Sequence, residues 1–400
     1  AGLSGGEAAC AVASTLRGIE EAELATWLSY HLDGCGFAKA FLFFDDPVEL
    51  GAKQHVLEPW RDRVVAKPVD EQLQDLYKAC TRYDLVRPRL VEDWLARQEL
   101  HVELAMMWAQ GVGCQWLLHI DLDELFLLGS GQSAPQHFGA VPPEAQATQY
   151  LNHEGVPELP EDEKVNEDGG PEGLGPEAER LRRNRFEAVT LFRRNPHCFA
   201  SLPGLRDLVL SAQGLDLTKS RGSDWQRRLD QLARAGDEGG GANFRSPRAR
   251  AARRALAFWP RRTRSALGSA QYFLAYASGK GAVRLGTGPP PSDVHRFGTV
   301  DLGHYWCPEE AAVLHYAHGG YEAVAEKLRR LRSSTGSWWR SFVFYERGRD
   351  MEDGALYDLY RRGVALCEPE EAARQVESGV CFRYSISEGH LPAWQLELLD

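Results

Sequence analysis

The chain has 400 residues, 43% of them hydrophobic, which is enough for one large core or two smaller ones. Its formal net charge of -11 excludes a protein whose main work is to coat nucleic acid. No apolar run is long enough to cross a bilayer and no signal-peptide pattern occurs, while the start at Ala1 rather than Met leaves room for a membrane anchor outside this chain.

Residues 1–18 are small and rich in Gly and Ala, the composition of a frayed, flexible end. From Glu20 to Leu32 the apolar positions Leu24, Trp27 and Leu28 return at helical spacing, and Gly34 and Gly36 stop the helix. Phe37 to Phe44 reads as a buried strand that ends at Asp45-Asp46-Pro47, because Pro47 cannot continue a ladder. Acids at such an end are placed to grip a base or ribose, and a plain Asp-Asp-Pro turn fits the same residues. Arg63 to Val69 reads as another strand and Glu71 to Tyr83 as a helix. Val91 to Gln110 carries the clearest helical pattern, closed by Gly111 and Gly113.

Next comes the stretch around which the chain is organised, Trp116-Leu117-Leu118-His119-Ile120-Asp121-Leu122-Asp123-Glu124-Leu125-Phe126. It is an apolar run of strand length, broken by three carboxylates, that then resumes as apolar. Ligands of open α/β sheets gather at the carboxyl ends of strands. Two acids spaced i, i+2 at such an end are costly to keep together without a cation. Asp121 and Asp123 are therefore expected to hold a metal-bound phosphate compound, with Mn²⁺ or Mg²⁺ as the ion. Acids that merely form a turn or cap a helix are the plain alternative.

Residues 152–180 are rich in Glu, Asp, Gly and Pro and are expected to be a flexible insertion. Arg185 to Arg193 alternates like a strand. A second flexible insertion is expected over 211–265, with an arginine-rich part running from Arg245 to Arg264. Gln271 to Tyr276 reads as a strand, and Gly279 to Arg284 as a turn into another. Val294 to Gly298 and Ala312 to Tyr316 are short apolar pieces that carry His295 and His315. Helices are expected at Tyr321–Leu331 and Leu356–Val364. The eight cysteines include no C-x-x-C pair, which argues against a zinc ribbon, and their even number permits disulfides without showing them.

His315 is the leading third metal ligand, since its strand can be delivered to the same sheet edge. Lys280, Arg284 and Arg296 could pair with phosphate oxygens. A carboxylate base for an acceptor hydroxyl could be Asp293, Glu124 or Glu154, and the sequence does not choose.

Glu23-Leu24-Ala25-Thr26-Trp27-Leu28-Ser29-Tyr30-His31, followed by Gly36 and Phe41-Leu42-Phe43-Phe44-Asp45-Asp46, resembles the opening of glycosyltransferase family 92 and related family-2-like enzymes. The Trp116–Leu125 segment resembles their Trp-hydrophobic-Asp-hydrophobic-Asp-Glu-Phe segment, with Leu125 in place of Phe. Lys280 to Arg284 with His295-Arg296-Phe297, and Leu314-His315-Tyr316 with Lys327, are similar to their later segments. The resemblance covers about residues 20–130 and 270–330. It implies a GT-A (Rossmann-like) α/β fold over 19–350, with a mostly parallel sheet flanked by helices and a helical extension over 351–400. It further implies a nucleotide-sugar donor, most often a UDP-sugar, and transfer to a glycan or glycoconjugate in the Golgi lumen or secretory pathway. The metal ligands it implies are Asp121, Asp123 and His315, and the donor-binding residues are Asp45, Asp46, Asp121, Lys280, Arg284 and His295. Two rivals use the same features. A haloacid-dehalogenase-type phosphatase would use Asp121 and Asp123 as nucleophile and acid/base, and a non-catalytic polyanion-binding protein would use Arg245–Arg264.

Overall fold

The computed structural model describes residues 8–129, 131–159, 184–195, 198, 247–298, 304–306, 311–332 and 338–386. The chain divides into two compact units, Ala1–Asn152 with Ser278–His315 and His153–Ala277 with Tyr316–Asp400. This division differs from the expected catalytic domain over 19–350 with an extension over 351–400. In chain order the described strands are β1 (Cys10–Leu16), β2 (Lys39–Phe44), β3 (Val64–Pro68), β4 (Trp116–His119), β5 (Glu124–Leu128), β6 (Ala147–Tyr150) and β7 (Asn152–Val156). They continue with β8 (Leu191–Arg193), β9 (Lys280–Arg284), β10 (Pro291–Asp293), β11 (Arg296–Phe297), β12 (His304–Trp306), β13 (Ala311–His315) and β14 (Cys381–Arg383).

The first unit is an α/β fold built on a mostly parallel sheet of order β12-β6-β9-β4-β1-β2-β3. Among the described strands of this sheet only β9 runs against its neighbours, pairing antiparallel with both β4 and β6. Within the expected frayed end, Cys10–Leu16 in fact lies inside this sheet, between β4 and β2. All seven residues of β1 are buried, and the strand pairs in parallel with β2 on one side and β4 on the other. Its small residues are what a doubly covered strand requires, because they let elements approach both faces. On one face, Ala11, Ala13, Phe41, Phe43 and Leu117 pack with Leu100, Leu104 and Ala105 of the helix Trp94–Gly111. Asp93 caps that helix by accepting from the Leu95 N–H at 3.0 Å. A second core is aromatic: Phe138 stacks on Trp116 at 5.2 Å and lies 6.2 Å from Phe37. After β4 the chain leaves the sheet, and β5 pairs antiparallel with β13.

The second unit contains the antiparallel set β7-β8-β14 and the helices Pro247–Leu267, Tyr321–Arg332, Asp353–Gly363 and Pro369–Glu377. Both expected insertions begin or end in ordered structure. The first begins as β7, which is buried throughout. The arginine-rich part of the second becomes the helix Pro247–Leu267, anchored by Trp259 at 1% exposure. Trp259 and Leu256 pack with Val156, Leu191, Tyr272 and Phe273, so one apolar stripe outweighs the surrounding charge. The remainder of both insertions, 160–180 and 211–246, lies outside the described residues. Arg185–Arg193 splits into a short helix at Arg185–Ala188, capped by Asn184, and then β8. The strand expected at Gln271–Tyr276 does not form, because the Glu154 carboxylate takes the N–H groups of Leu274 and Ala275. No described helix is long and apolar enough to cross a membrane, and the seven described cysteines are free thiols.

Candidate active site

The sheet itself selects the site. From β1 the chain steps outward through β2 to β3, then returns to the other side of β1 as β4. In open α/β sheets such a reversal is where ligands bind, in a crevice at the carboxyl ends of the two strands, here β1 and β4. At its rim stand Thr15 to Gly18 on one side and Ile120 to Glu124 on the other.

The last sheet bond on the β4 side is Ile120 N–H to the Ala13 carbonyl at 3.2 Å. Asp121 to Glu124 then forms a tight turn. The Glu124 N–H donates to the Asp121 carbonyl at 3.2 Å, and the Asp121 N–H donates to Glu124 Oε2 at 2.7 Å. Leu122 and Asp123 sit at its tip. Glu124 opens β5, whose register with β13 sets His315 opposite Glu124. This delivers His315 Nε2 to 3.8 Å from Asp123 Oδ2. The helix after β1 clamps β5 in place. Trp27 Nε1 donates to the Glu124 carbonyl at 3.1 Å, and the Tyr30 hydroxyl donates to the Phe126 carbonyl at 3.1 Å. His31 Nε2 accepts the Phe126 N–H at 3.2 Å while its Nδ1–H donates to the Trp27 carbonyl at 2.8 Å. Burial holds the His31 pKa down at about 3, against the smaller pull of that backbone bond, so the ring stays neutral. The Trp-x-x-Tyr-His pattern is thus a clamp on the strand that follows the acidic turn.

Asp121 and Asp123 have different partners. Asp121 Oδ2 accepts from Lys280 Nζ at 2.6 Å and Oδ1 from Gln98 Nε2 at 2.6 Å. Lys280 is fully buried, and its ammonium also reaches the Val294 carbonyl at 3.3 Å and lies 3.8 Å from Glu124 Oε2. Burial pushes the Asp121 carboxyl up, but the charge and hydrogen bond of Lys280, with smaller contributions from His119 and His295, together hold the group well below the usual carboxylate range. Burial likewise pushes Lys280 down, and its carboxyl neighbours, Asp121 first among them, together more than offset this. Glu124, without exposed surface, is raised well above the ordinary value by burial. Burial and then Lys280 lower both His119, to about 3, and His295. His295 joins the cluster through Nδ1, 3.1 Å from the Gly279 carbonyl.

Other expected residues lie elsewhere. Asp45 is held bidentately by Arg97 at 2.7 and 2.8 Å, with Arg17 at 3.7 Å. Asp46 caps the helix Pro47–Leu57 through the Val48 N–H at 2.9 Å, which is the plain turn alternative. Arg284 sits at the far end of β9 from Lys280, donates to the carbonyls of Ala145, Val141 and Pro142, and covers the Trp116 ring at 4.6 Å. Asp293 is engaged by the His295 N–H at 2.7 Å and by Arg296 at 3.1 Å. Glu154 belongs to the second unit, where it pairs with Arg193. The residues that sequence reasoning missed are Gln98, hidden as a polar position on an apolar helix, and Arg17, concealed in the supposed frayed end. Arg17 is 51% exposed at the crevice rim.

Among the described residues no group of three His, Cys, Asp or Glu side chains could hold a metal by itself. Asp123 and His315 nevertheless present an oxygen and a nitrogen to one another beyond hydrogen-bond range. That pair fits an ion of the Mg²⁺ or Mn²⁺ type, which takes one or two protein ligands and completes its shell with water and substrate phosphates. Asp121, which the resemblance also assigns to the ion, accepts from Lys280 and Gln98 and keeps a second lone pair on each oxygen.

No family model matches the sequence, and no curated protein matches it, so the resemblance to family 92 rests on the residues quoted above. Among solved structures the chain is similar to the mannosyltransferase Ktr4p from S. cerevisiae, at 12% identity, over 40% of this chain and 43% of that one, with a TM-score of 0.24. A second structure of the same mannosyltransferase, in complex with GDP, matches at 12% identity over 40% of this chain and 44% of that one, again with a TM-score of 0.24. The chain thus spans less than half the length of those structures.

Proposed function

We propose that this chain is a metal-dependent glycosyltransferase of the GT-A type that moves a sugar from a nucleotide-sugar donor, a UDP-sugar by the resemblance, to a glycan or glycoconjugate. The observation that carries this reading is the Asp-x-Asp turn at the sheet's reversal point, with His315 brought opposite Asp123 by the β5–β13 register. A Mn²⁺ or Mg²⁺ ion held by Asp123 and His315 would supply charge neutralisation to a departing diphosphate. The chain's own residues do the rest. Arg17, at the rim, offers a guanidinium to phosphate oxygens. Lys280 keeps Asp121 ionised and fixed. Glu124 is sealed off and bonded to the turn, so it cannot serve as the acceptor's base. The same resemblance places the work in the Golgi or secretory pathway.

A screen of nucleotide sugars with Mn²⁺ tests the reading. Release of nucleoside diphosphate from at least one donor, lost in Asp123→Ala, is expected. Release from none, or turnover of phosphomonoesters without a nucleotide, would overturn it. The phosphatase reading expects its acidic pair at the end of the first strand, whereas here the pair follows β4. Of the arginines in the polyanion reading, Arg262 donates to the carbonyls of Arg361 and Ala365.

A further inference from the structure

The second unit holds a group of arginines that the donor-site reading does not use. Between Lys327 and Arg349 the sequence carries seven Lys or Arg and one acid, Glu346, in a chain of net charge -11. Four of the seven are accounted for locally. Arg329 and Arg330 share the Glu326 carboxylate. Lys327 lies over the Tyr345 ring at 5.1 Å. Arg347 ends beside Gly268, where an added Cβ would stand 3.1 Å from its Nη2. That is just past the helix Pro247–Leu267, whose carbonyl end favours a cation.

The other three converge. Arg340 and Arg349 place their guanidinium carbons 5.2 and 4.5 Å from the centre of the Trp339 ring, which is buried. Arg332 and Arg349 each donate to the other's backbone carbonyl, and Arg332 donates to the Met351 carbonyl as well. Among the described residues one carboxylate stands in ion-pair range of the three. It is that of Asp350, 78% exposed and 3.7 Å from Arg349 Nε, which is beyond hydrogen-bond range. These contacts orient the side chains without neutralising them, because a carbonyl or an indole face brings no net charge. Like charges held together are costly without a counter-ion. Guanidinium forks fixed in this way match a tetrahedral oxyanion, which can accept from two of them at once. The charge of the whole chain decides between large and small anions. At -11 it repels a long polyanion such as nucleic acid. A single anionic group responds mainly to charges within a Debye length, about 8 Å in physiological salt, and there the arginines dominate.

We propose that Arg332, Arg340 and Arg349, gathered about Trp339, form a binding site for one phosphate or sulfate ester group. That the ester is carried by the acceptor glycan rests on the glycosyltransferase reading; the binding itself does not. Ligand-observed NMR titrations of the whole chain, with a metal chelator present, test it. Glucose 6-sulfate and glucose 6-phosphate are expected to bind saturably, and glucose is not. Arg340 is exposed, so Arg340→Gln is expected to leave Tm unchanged and to weaken both esters about tenfold, the loss of one charge-assisted bond. Arg340→Glu is expected to abolish measurable binding. Asp123→Ala, at the donor turn, is expected to bind both esters as the wild type does. Esters that fail to bind, that bind Arg340→Gln as tightly as the wild type, or that lose affinity in Asp123→Ala would overturn the site. Inorganic sulfate that binds more tightly than glucose 6-sulfate, or oligothymidylate that displaces the esters at equal phosphate concentration, would overturn the ester assignment. Ester binding that behaves as expected in a chain that turns over no nucleotide sugar would uphold the site and refute the glycosyltransferase reading alone.

Discussion

His31 shows how much a single ring can fix. It closes one turn of its own helix through Nδ1 and holds the strand after the acidic turn through Nε2, and both bonds require the neutral tautomer. Its folded pKa of about 3 lies below the value of 6.5 expected for an unfolded chain. Protons therefore favour the unfolded state. The stability this group contributes is complete above about pH 6.5 and is lost as pH falls toward 3. Between pH 6.5 and 5 that loss is about 2 kcal/mol for one such histidine. Denaturant titrations of wild type and His31→Gln at those two pH values should show the wild type losing about that much more than the variant. Equal losses would mean that the ring is already charged in the folded chain. At this scale the sequence is a partial guide. Asp121, Asp123 and Glu124 could be read because three acids interrupt an apolar run, and His315 because it follows a strand-like piece. Gln98 could not, since a polar residue on a helix is normally turned to water and only the fold reveals it facing Asp121.

At the scale of elements, the strand that positions the site is β9, and its entry depends on Gly279. Gly279→Ala should cost about 2–4 kcal/mol in chemical denaturation, from both the positive φ and the clash with the Tyr150 carbonyl. Gly51, inside the helix Pro47–Leu57, is the control, because a Cβ added there would meet no atom within 4 Å. There the same change should be neutral or stabilising by up to about 1 kcal/mol. Similar costs at both positions would mean that the entry to β9 is not tight. Helices were legible wherever a cap or stop accompanied an apolar stripe, as at Asp93 and Gly113. β1 was not legible, because Cys-Ala-Val-Ala-Ser-Thr-Leu lacks the bulky residues that mark most strands. Its smallness makes sense only when both neighbours and both faces are known. Two other readings failed for a related reason. Arg185–Ala188 alternates like a strand but is capped as a helix by Asn184. Gln271–Tyr276 loses ladder donors to a carboxylate more than a hundred residues earlier in the chain.

At the scale of the whole molecule, the first unit could be anticipated because its strands and helices alternate locally. The second could not, because its contacts join segments far apart in sequence. Trp259 is bonded to Gln375, and Arg193 lies over the Trp259 ring at 4.2 Å. The arginine-rich segment looked like a mobile polycation for the same reason: the partners of Arg262, namely Arg361, Ala365 and Glu368, lie a hundred residues away. What the first unit brings together is a crevice at a strand-order reversal, an acidic turn held by a clamp of three side chains, and a histidine delivered by an antiparallel partner strand. The most direct test is a crystal of the chain grown with Mn²⁺ and a nucleoside diphosphate, with data collected at the manganese edge. One anomalous peak within coordination distance of Asp123 and His315, with the diphosphate on its open side, is the expected result. A diphosphate bound away from this turn, or a manganese peak at a different set of side chains, would contradict it.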